Sequence, residues 1–217
     1  MRRPKVLLFD FDGTITNSLP AVGAAVIETL KSYGQYDHTL EEMRKCIGPP
    51  LSHSFTTFFG LAPEQAVEAE QIYREHHKNF HDRYAPYDGV SDALYALHEA
   101  GFRLAVATSK RESSAVSILE RLGTYHLFDL VAGAVDGVRS GKAEVIRHVL
   151  DTLDASPDEM LMIGDRLYDV EGAAAFGIPT LGVLWGFGTK EELMEAGAFA
   201  TVETPSEMVE FLLSLDK

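Results

Sequence analysis

The sequence predicts an α/β fold in which a doubly wound parallel sheet carries a small all-helical cap domain. Two observations support this prediction. From residue 84 onward, short apolar runs alternate with amphipathic helical stretches, as they do where helices cover both faces of a parallel sheet. Residues 16–83 show helical spacing and no strand-like run, and the stretch is too long for an ordinary connection in an α/β unit. We therefore assign 1–15 and 84–217 to the α/β core and 16–83 to the helical domain.

The first predicted strand consists of four apolar residues, Val6–Phe9, a run typical of a strand buried on both faces. Asp10 and Asp12 follow it, two residues apart. Because an unpaired buried carboxylate is costly, these groups need a cation, a proton or both. Ligands of open α/β sheets bind at the carboxyl ends of the strands, so the pattern predicts a functional site. The alternative is a simple turn at Asp12-Gly13.

The predicted helical domain begins with a helix from Leu19, which Asn17 or Ser18 can cap and Gly34 can end. Further helices are predicted over 40–46, 51–59 and 63–81. A rigid loop, Ile47-Gly48-Pro49-Pro50, separates two of them.

The α/β alternation then resumes. Helices are predicted over 89–100 and 112–122 and from Gly141-Lys142, and strands over 103–107, 130–133, 160–163 and 179–184. Three patterns of Ser or Thr followed three residues later by Glu are typical of capping boxes: Ser156–Glu159, Thr189–Glu192 and Thr204–Glu207.

Polar residues follow two more strands. Thr108-Ser109 ends one strand and Asp165 ends another, while Lys142 begins a helix and Asp169 lies four residues after Asp165. Alone, each has an ordinary explanation, because Thr-Ser is common as a helix cap and Gly-Lys as a solvated turn. Together they form one set of acidic, hydroxyl and basic groups at the same edge of the predicted sheet.

Phosphoryl transfer requires groups of these types. Its catalysis depends largely on positioning and charge neutralisation, and a carboxylate cannot approach a phosphoryl dianion unaided. Mg²⁺ prefers carboxylate and phosphate oxygens, which Asp10 and Asp165 can supply in part. Asp169 can hold a metal-bound water or orient Lys142. Thr108 and the backbone N–H groups near Ser109 can bind phosphoryl oxygens.

These residues resemble the four motifs of the haloacid dehalogenase superfamily in its order. The motifs are Asp10-Phe-Asp12-Gly-Thr, Thr108, Lys142 and Gly164-Asp165-Arg-Leu-Tyr-Asp169. The helical insertion lies where the first class of cap domains lies in that superfamily. Ile47-Gly48-Pro49-Pro50-Leu51, Trp185-Gly186-Phe187-Gly188 and Glu191-Glu192-Leu193 resemble the phosphoglycolate phosphatase branch. One departure is Ala143, because that branch commonly has Pro after the motif lysine.

The resemblance implies a Rossmann-like core and a Mg²⁺-dependent phosphatase that acts on a small phosphorylated metabolite. Asp10 would be the nucleophile that forms an aspartyl phosphate, and Asp12 the general acid and base. The implied catalytic residues are Asp10, Asp12, Thr108 and Lys142. The implied metal-binding residues are Asp10, Asp12, Asp165 and Asp169, and the substrate-binding residues are Gly13, Thr108, Ser109, Lys142 and Arg44. Arg44 or the 47–50 loop would recognise the non-phosphate end of the substrate, unless Arg44 is only a solvated helix residue.

Several alternatives remain open. Within the fold, the chain could be a nucleotidase or pyrophosphatase, and a mutase or a phosphonate-cleaving enzyme is less compatible with the motifs. A non-catalytic phosphate-binding protein is disfavoured, because each charged motif position is filled. His77 and His81 lie one helical turn apart, a spacing that can bind zinc or nickel, but an exposed polar face of a helix is the favoured explanation.

The composition restricts the classes of partner and the cellular compartment that we expect. The net charge of −14 disfavours nucleic acid and anionic membranes, and it means that a local cation must attract an anionic substrate. Cys46 is the sole cysteine, so no intramolecular disulfide is possible and a reducing compartment is expected. No signal peptide or transmembrane run is apparent, so we expect a cytoplasmic protein. The sequence gives no indication of oligomeric state.

Overall fold

The computed structural model describes residues 3–215, which form two compact units. One unit comprises the chain up to Thr16 together with the chain from Pro86, and the other is Asn17–Ala85. The strands are β1 Val6–Phe9, β2 Thr16–Asn17, β3 Ala85–Pro86, β4 Arg103–Arg111, β5 Leu130–Ala134, β6 Met160–Gly164, β7 Thr180–Val183 and β8 Ala200–Val202. The α-helices are α1 Leu19–Lys31, α2 Leu51–Phe59, α3 Pro63–Lys78, α4 Val90–Glu99, α5 Glu112–Leu122, α6 Lys142–Leu153, α7 Leu167–Ala174, α8 Lys190–Ala196 and α9 Pro205–Ser214.

The α/β unit contains a six-stranded sheet in the order β5-β4-β1-β6-β7-β8, and every neighbouring pair is parallel. The predicted doubly wound parallel sheet is therefore confirmed. The central strand β1 is fully buried, as its uninterrupted apolar run indicates. Phe9 is in register with Val106 of β4 and Ile163 of β6, so the residues that follow these strands emerge at one edge.

Helices α6 and α7 cover one face of the sheet. Val6 and Leu8 of β1 pack there in a single apolar cluster with Val145 and Ile146 of α6 and Ala173 of α7. Crossovers between parallel strands are right-handed, so the direction of travel along the sheet decides which face each helix covers. The crossover through α5 runs from β4 to β5, toward one end of the sheet, whereas the crossover through α6 runs from β5 back to β6, toward the other end. Helix α5 therefore lies on the face opposite α6. The α/β unit is thus covered on both faces.

The reversal of direction opens a crevice beside β1. The connection that leaves β1 leads toward β4, whereas the connection that leaves β6 leads toward β7. Adjacent strands whose connections diverge leave space at their carboxyl ends, which is where open α/β sheets bind ligands. Asp10 follows β1 and Asp165 follows β6, so both side chains belong to this crevice.

The structure corrects several details of the predicted elements. Strand β4 continues through Arg111 rather than ending at Ala107, and the three-residue edge strand β8 was not predicted. The two-residue strands β2 and β3, which pair with each other, were also missed. The Ser156–Glu159 box is present, but it opens only one 3₁₀ turn before β6. These elements are short or polar, so they carry little hydrophobic periodicity.

The unit Asn17–Ala85 is helical apart from its terminal strand residues. Helix α1 packs against α3 and against a 3₁₀ helix, Glu41–Cys46, and α2 packs against α3. The predicted helix over 40–46 is thus a 3₁₀ helix, and the one predicted over 63–81 ends at Lys78. Cys46 is buried, and burial raises the pKa of its thiol to about 12, which makes it unreactive at neutral pH. Among residues 3–215, no helix has the length and apolar character needed to cross a membrane.

Candidate active site

Three buried aspartates meet at the crevice beside β1. Asp10 follows β1, Asp165 follows β6, and Asp169 lies in the first turn of α7. One carboxylate oxygen from each lies within 4.8 Å of the others. The register of β1 and β6 explains the positions of Asp10 and Asp165, because Phe9 and Ile163 are paired and the residues that follow extend past the same edge of the sheet. Asp169 joins them because α7 begins directly after β6.

Lys142 is the cation of this group. Its Nζ donates to Asp10 Oδ1 at 2.6 Å and to the Ala107 carbonyl at 2.8 Å, and it lies 2.7 Å from Asp169 Oδ1. An ammonium has three N–H donors, so these three acceptors satisfy it completely. Burial alone would lower the pKa of Lys142, but the charges of Asp10 and Asp169 outweigh burial and raise it. Lys142 therefore stays protonated and joins two of the three carboxylates.

Asp165 is held from both sides. Its Oδ1 accepts a hydrogen bond from Thr14 Oγ1 at 3.1 Å, and its Oδ2 accepts one from the Phe187 backbone N–H at 2.8 Å. Gly13 lies directly against it with φ of +97°, and a Cβ on Gly13 would fall 2.2 Å from Asp165 Oδ2. Only glycine combines this backbone conformation with so close an approach. Trp185 Nε1 donates to the Thr14 carbonyl at 3.0 Å and thereby ties the 185–188 loop to the first motif.

The charge of the cluster is not balanced by the protein. Burial, followed by the charges of Asp169 and Asp10, raises the pKa of Asp165 well above its usual range. Burial also raises the pKa of Asp169 to about 6, despite the opposing effect of Lys142. Three carboxylates face one ammonium, which leaves two negative charges when all are ionised. Three hard oxygen ligands that carry two uncompensated negative charges suit a divalent cation such as Mg²⁺.

Asp12 lies outside this cluster and pairs with another lysine. Lys110 Nζ lies 3.4 Å from Asp12 Oδ1 and 3.2 Å from Oδ2, and the side chain of Lys110 is almost fully buried. Sequence reasoning did not select Lys110. The available signal was a lysine two residues after the Thr108 motif position, which is easily dismissed as a solvated residue at a strand end. The prediction that Asp12 also contributes a metal ligand stays a prediction.

Thr108 and Ser109 lie within β4, in a segment where its pairing with β5 is irregular. Ala107 pairs with Ala132, and Arg111 pairs with Ala134, so four steps along β4 match two along β5. Such bulges are common beside active sites because they redirect side chains. Thr108 is buried, and its Oγ1 accepts a hydrogen bond from the Lys110 backbone N–H at 3.2 Å.

Glu192 stabilises the start of α7. Its Oε1 accepts hydrogen bonds from Arg166 Nε at 2.8 Å and from the Leu167 backbone N–H at 2.9 Å. The turn that carries Asp165 and Asp169 is therefore anchored to the N-terminus of α8. This contact gives a physical reason for the Glu-Glu-Leu motif.

Arg44 belongs to the helical unit. It lies in the 3₁₀ helix Glu41–Cys46, where its Nε is 3.4 Å from Glu41 Oε1 and its side chain is partly exposed. Its predicted role in substrate recognition stays a prediction.

His77 of α3 and His81 of the 3₁₀ helix His81–Arg83 contact each other and Tyr84. His77 is buried, its Nε2 lies 2.6 Å from Tyr84 Oη, and its Nδ1 lies 3.3 Å from His81 Nε2. Within the described part of the chain, the sole group of three or more potential metal ligands is the aspartate cluster.

Comparison with known proteins agrees with this fold. The family described as haloacid dehalogenase-like hydrolase matches residues 7–183, which include most of the α/β unit and the whole helical unit. The chain belongs to this family.

Proteins that are similar to this chain have different names. Tyrosine-protein kinase PtkA of Mycobacterium tuberculosis is 38% identical over 187 residues, which are 85% of this chain but only 64% of that protein. A 5'-nucleotidase of Pseudomonas aeruginosa is 36% identical over 197 residues, which cover 89% of this chain and 88% of the relative. The crystal structure of a predicted phosphatase from Clostridium acetobutylicum superimposes with a TM-score of 0.93 at 36% identity, and the match covers 98% of this chain and 99% of the other.

Proposed function

We propose that this protein is a Mg²⁺-dependent phosphatase that hydrolyses a small phosphorylated metabolite through an aspartyl-phosphate intermediate. One observation carries the proposal: Asp10 lies at the end of the central strand with Lys142 at 2.6 Å and two further carboxylates around it. A purely structural site would not concentrate buried negative charge in this way, because burial of unpaired carboxylates destabilises a fold.

In the first step, a carboxylate oxygen of Asp10 attacks phosphorus. The phosphorus–oxygen bond to the leaving group breaks, and Asp12 donates a proton to the departing oxygen. Lys142 binds Asp10 Oδ1 and so fixes the orientation of the nucleophile. Thr108 and the backbone N–H groups near Ser109 would bind phosphoryl oxygens.

In the second step, water attacks the phosphorus of the aspartyl phosphate, and Asp12 removes its proton. The bond between phosphorus and Asp10 breaks, which releases inorganic phosphate and restores the carboxylate. Asp10, Asp165 and Asp169 would hold the divalent cation. When bound, the cation supplies positive charge that lets a carboxylate approach a phosphoryl dianion.

Two classes of substrate are candidates. The phosphoglycolate phosphatase branch supplies the first candidate, since its loop motifs resemble residues 47–51 and 185–188. A nucleotidase or pyrophosphatase is the second candidate, and the P. aeruginosa 5'-nucleotidase supports it. Phosphoglycolate, nucleoside monophosphates and pyrophosphate, assayed side by side with Mg²⁺, distinguish these candidates.

The decisive experiment for the mechanism is Asp10→Asn. This substitution removes the nucleophile and retains the shape of the side chain, so we expect hydrolysis of p-nitrophenyl phosphate to fall by about 10³-fold or more. Mass spectrometry of the acid-quenched wild type should find a phosphoryl group on Asp10 and none in the variant. If the variant keeps a tenth of wild-type activity, the covalent mechanism is wrong.

A further inference from the structure

The β4 bulge contains a second buried lysine that the mechanism above does not use. Lys110 is nearly as buried as Lys142, and it pairs with Asp12 as Lys142 pairs with Asp10. Each aspartate of the first motif therefore has its own lysine. A buried ammonium that served no purpose would be a liability, because removing it from water is costly.

The contact holds both oxygens of Asp12. Lys110 Nζ lies 3.4 Å from Asp12 Oδ1 and 3.2 Å from Asp12 Oδ2, so the ammonium is nearly equidistant from the two oxygens. The same Nζ lies 5.6 Å from the centre of the Phe11 ring, within the range of a cation–π interaction. Lys110 thus contacts two consecutive residues of the first motif.

The backbone of the bulge fixes the position of Lys110. Its N–H donates to Thr108 Oγ1, and its carbonyl lies against Gly133 of β5, where a Cβ would come within 2.5 Å of that oxygen. Two residues further on, Glu112 at the start of α5 accepts a hydrogen bond from the Gly133 N–H at 3.1 Å. The irregular register redirects the strand while these contacts keep it rigid.

We propose that Lys110 is a positioning residue that holds the Asp12 carboxylate in the orientation needed for proton transfer. This inference rests on the proposed phosphatase function. Asp12 must reach the leaving oxygen in the first step and the attacking water in the second, and small misplacements of a reacting group cost large factors in rate. Once Asp12 has given up its proton in the first step, the ammonium near both oxygens favours the orientation that the carboxylate needs in the second step.

The first test is Lys110→Met, which keeps the length of the side chain and removes the charge. We expect kcat for p-nitrophenyl phosphate to fall by about 10- to 100-fold, with KM falling alongside it because the covalent intermediate accumulates, and with the Mg²⁺ requirement changed less than about twofold. Because p-nitrophenolate needs little protonation, the slowed step should be breakdown of the aspartyl phosphate. The phosphorylated fraction of enzyme at steady state should therefore rise. Lys110→Arg should recover part of the loss, since it restores the charge.

A double-mutant cycle with Asp12→Asn separates positioning from direct substrate binding. If Lys110 acts through Asp12, adding Lys110→Met to Asp12→Asn should slow single-turnover hydrolysis by less than about twofold. If Lys110 instead binds the phosphate, its loss should be equally costly in both backgrounds and KM should rise. That result would overturn the proposal.

Arg111→Met is the matched control. Arg111 is the adjacent residue, and it pairs with Asp136 at 2.5 Å on the exposed surface, so its variant should retain wild-type kinetics. If Lys110→Met does not fold, as judged by fluorescence of Trp185, Lys110→Gln is the second neutral variant and carries the same expectation.

Two outcomes distinguish the failure of each idea. Wild-type protein that hydrolyses no phosphate ester would overturn the proposed function and this inference with it. An active wild type with Lys110→Met and Lys110→Gln variants of unchanged kcat would overturn the role of Lys110 alone.

Discussion

Lys142→Met should reveal how strongly the cluster depends on its buried cation. The stem of Lys142 lies against Gly172, and Met can fill nearly the same space, so the substitution mainly removes the charge. Three acceptors lose the contact with Nζ: Asp10 Oδ1, Asp169 Oδ1 and the Ala107 carbonyl. The side chains of Lys142 and its two acidic partners are at most 10% exposed, so water cannot readily replace the lost contacts.

The magnitude follows from this burial. Removal of one partner from a buried ion pair costs about 3–5 kcal/mol, which is a large part of the total stability of an ordinary domain. For a chain of this size, each kcal/mol lowers Tm by roughly 2–4 °C, so we expect a decrease of roughly 6–20 °C without metal. Mg²⁺ should restore part of the difference, because a divalent cation supplies positive charge to the same carboxylates.

The assay uses the single tryptophan of the chain. Trp185 lies in the α/β unit and contacts the first motif, so its fluorescence reports the unfolding of the unit that contains Lys142. Lys5→Met is the matched control. Lys5 pairs with Glu159 on the surface, where it is 66% exposed, and its loss should leave Tm nearly unchanged. If Lys142→Met melts within about 2 °C of wild type in EDTA, the ammonium of Lys142 does not offset the negative charge of the aspartate cluster.

Two further predictions address the cation and the substrate. Mg²⁺ should stabilise the wild type against heat by about 2.7 kcal/mol at 100 times its Kd. The Asp165→Asn variant should lose most of this gain, and its Mg²⁺ requirement should rise more than its KM. Equal stabilisation of both proteins would exclude Asp165 as a ligand. Arg44→Ala should lower kcat/KM for an anionic physiological substrate and leave p-nitrophenyl phosphate nearly unaffected, with Arg74→Ala, another ion-paired arginine of the helical unit, as control. Equal effects of Arg44→Ala on both substrates would rule out Arg44 as a specificity residue.

Elements with strong local signals were predictable from sequence. The apolar run of β1 specified a central parallel strand, and the predicted caps at Thr189 and Thr204 are present, since their hydroxyls accept from the Glu192 and Glu207 N–H groups. Strand β8 had no comparable signal. Its three residues are at the sheet edge and two of them are only partly buried, so neither an apolar run nor a clear alternation marks them.

The site was predictable to the extent that strand ends converge. Parallel strands bring their carboxyl ends together, so the proximity of Asp10 and Asp165 follows from topology once the strands are assigned. The partner of each charge does not follow in this way. Lys142 lies 132 positions from Asp10, and only the motif resemblance connected them. Lys110 was missed because its burial depends on an irregular register between β4 and β5, which no local pattern encodes.

The distribution of charge indicates that an anionic substrate would need a bound divalent cation. The site contains four carboxylates and two ammonium groups: Asp10, Asp12, Asp165, Asp169, Lys110 and Lys142. Both lysines are already paired with aspartates, and the chain as a whole carries a net charge of −14. Neither these six groups nor the net charge of the chain therefore offers excess positive charge to a phosphate ester. Because like charges repel most strongly where water is excluded, substrate affinity should depend on the divalent cation more steeply than the folding of the protein does.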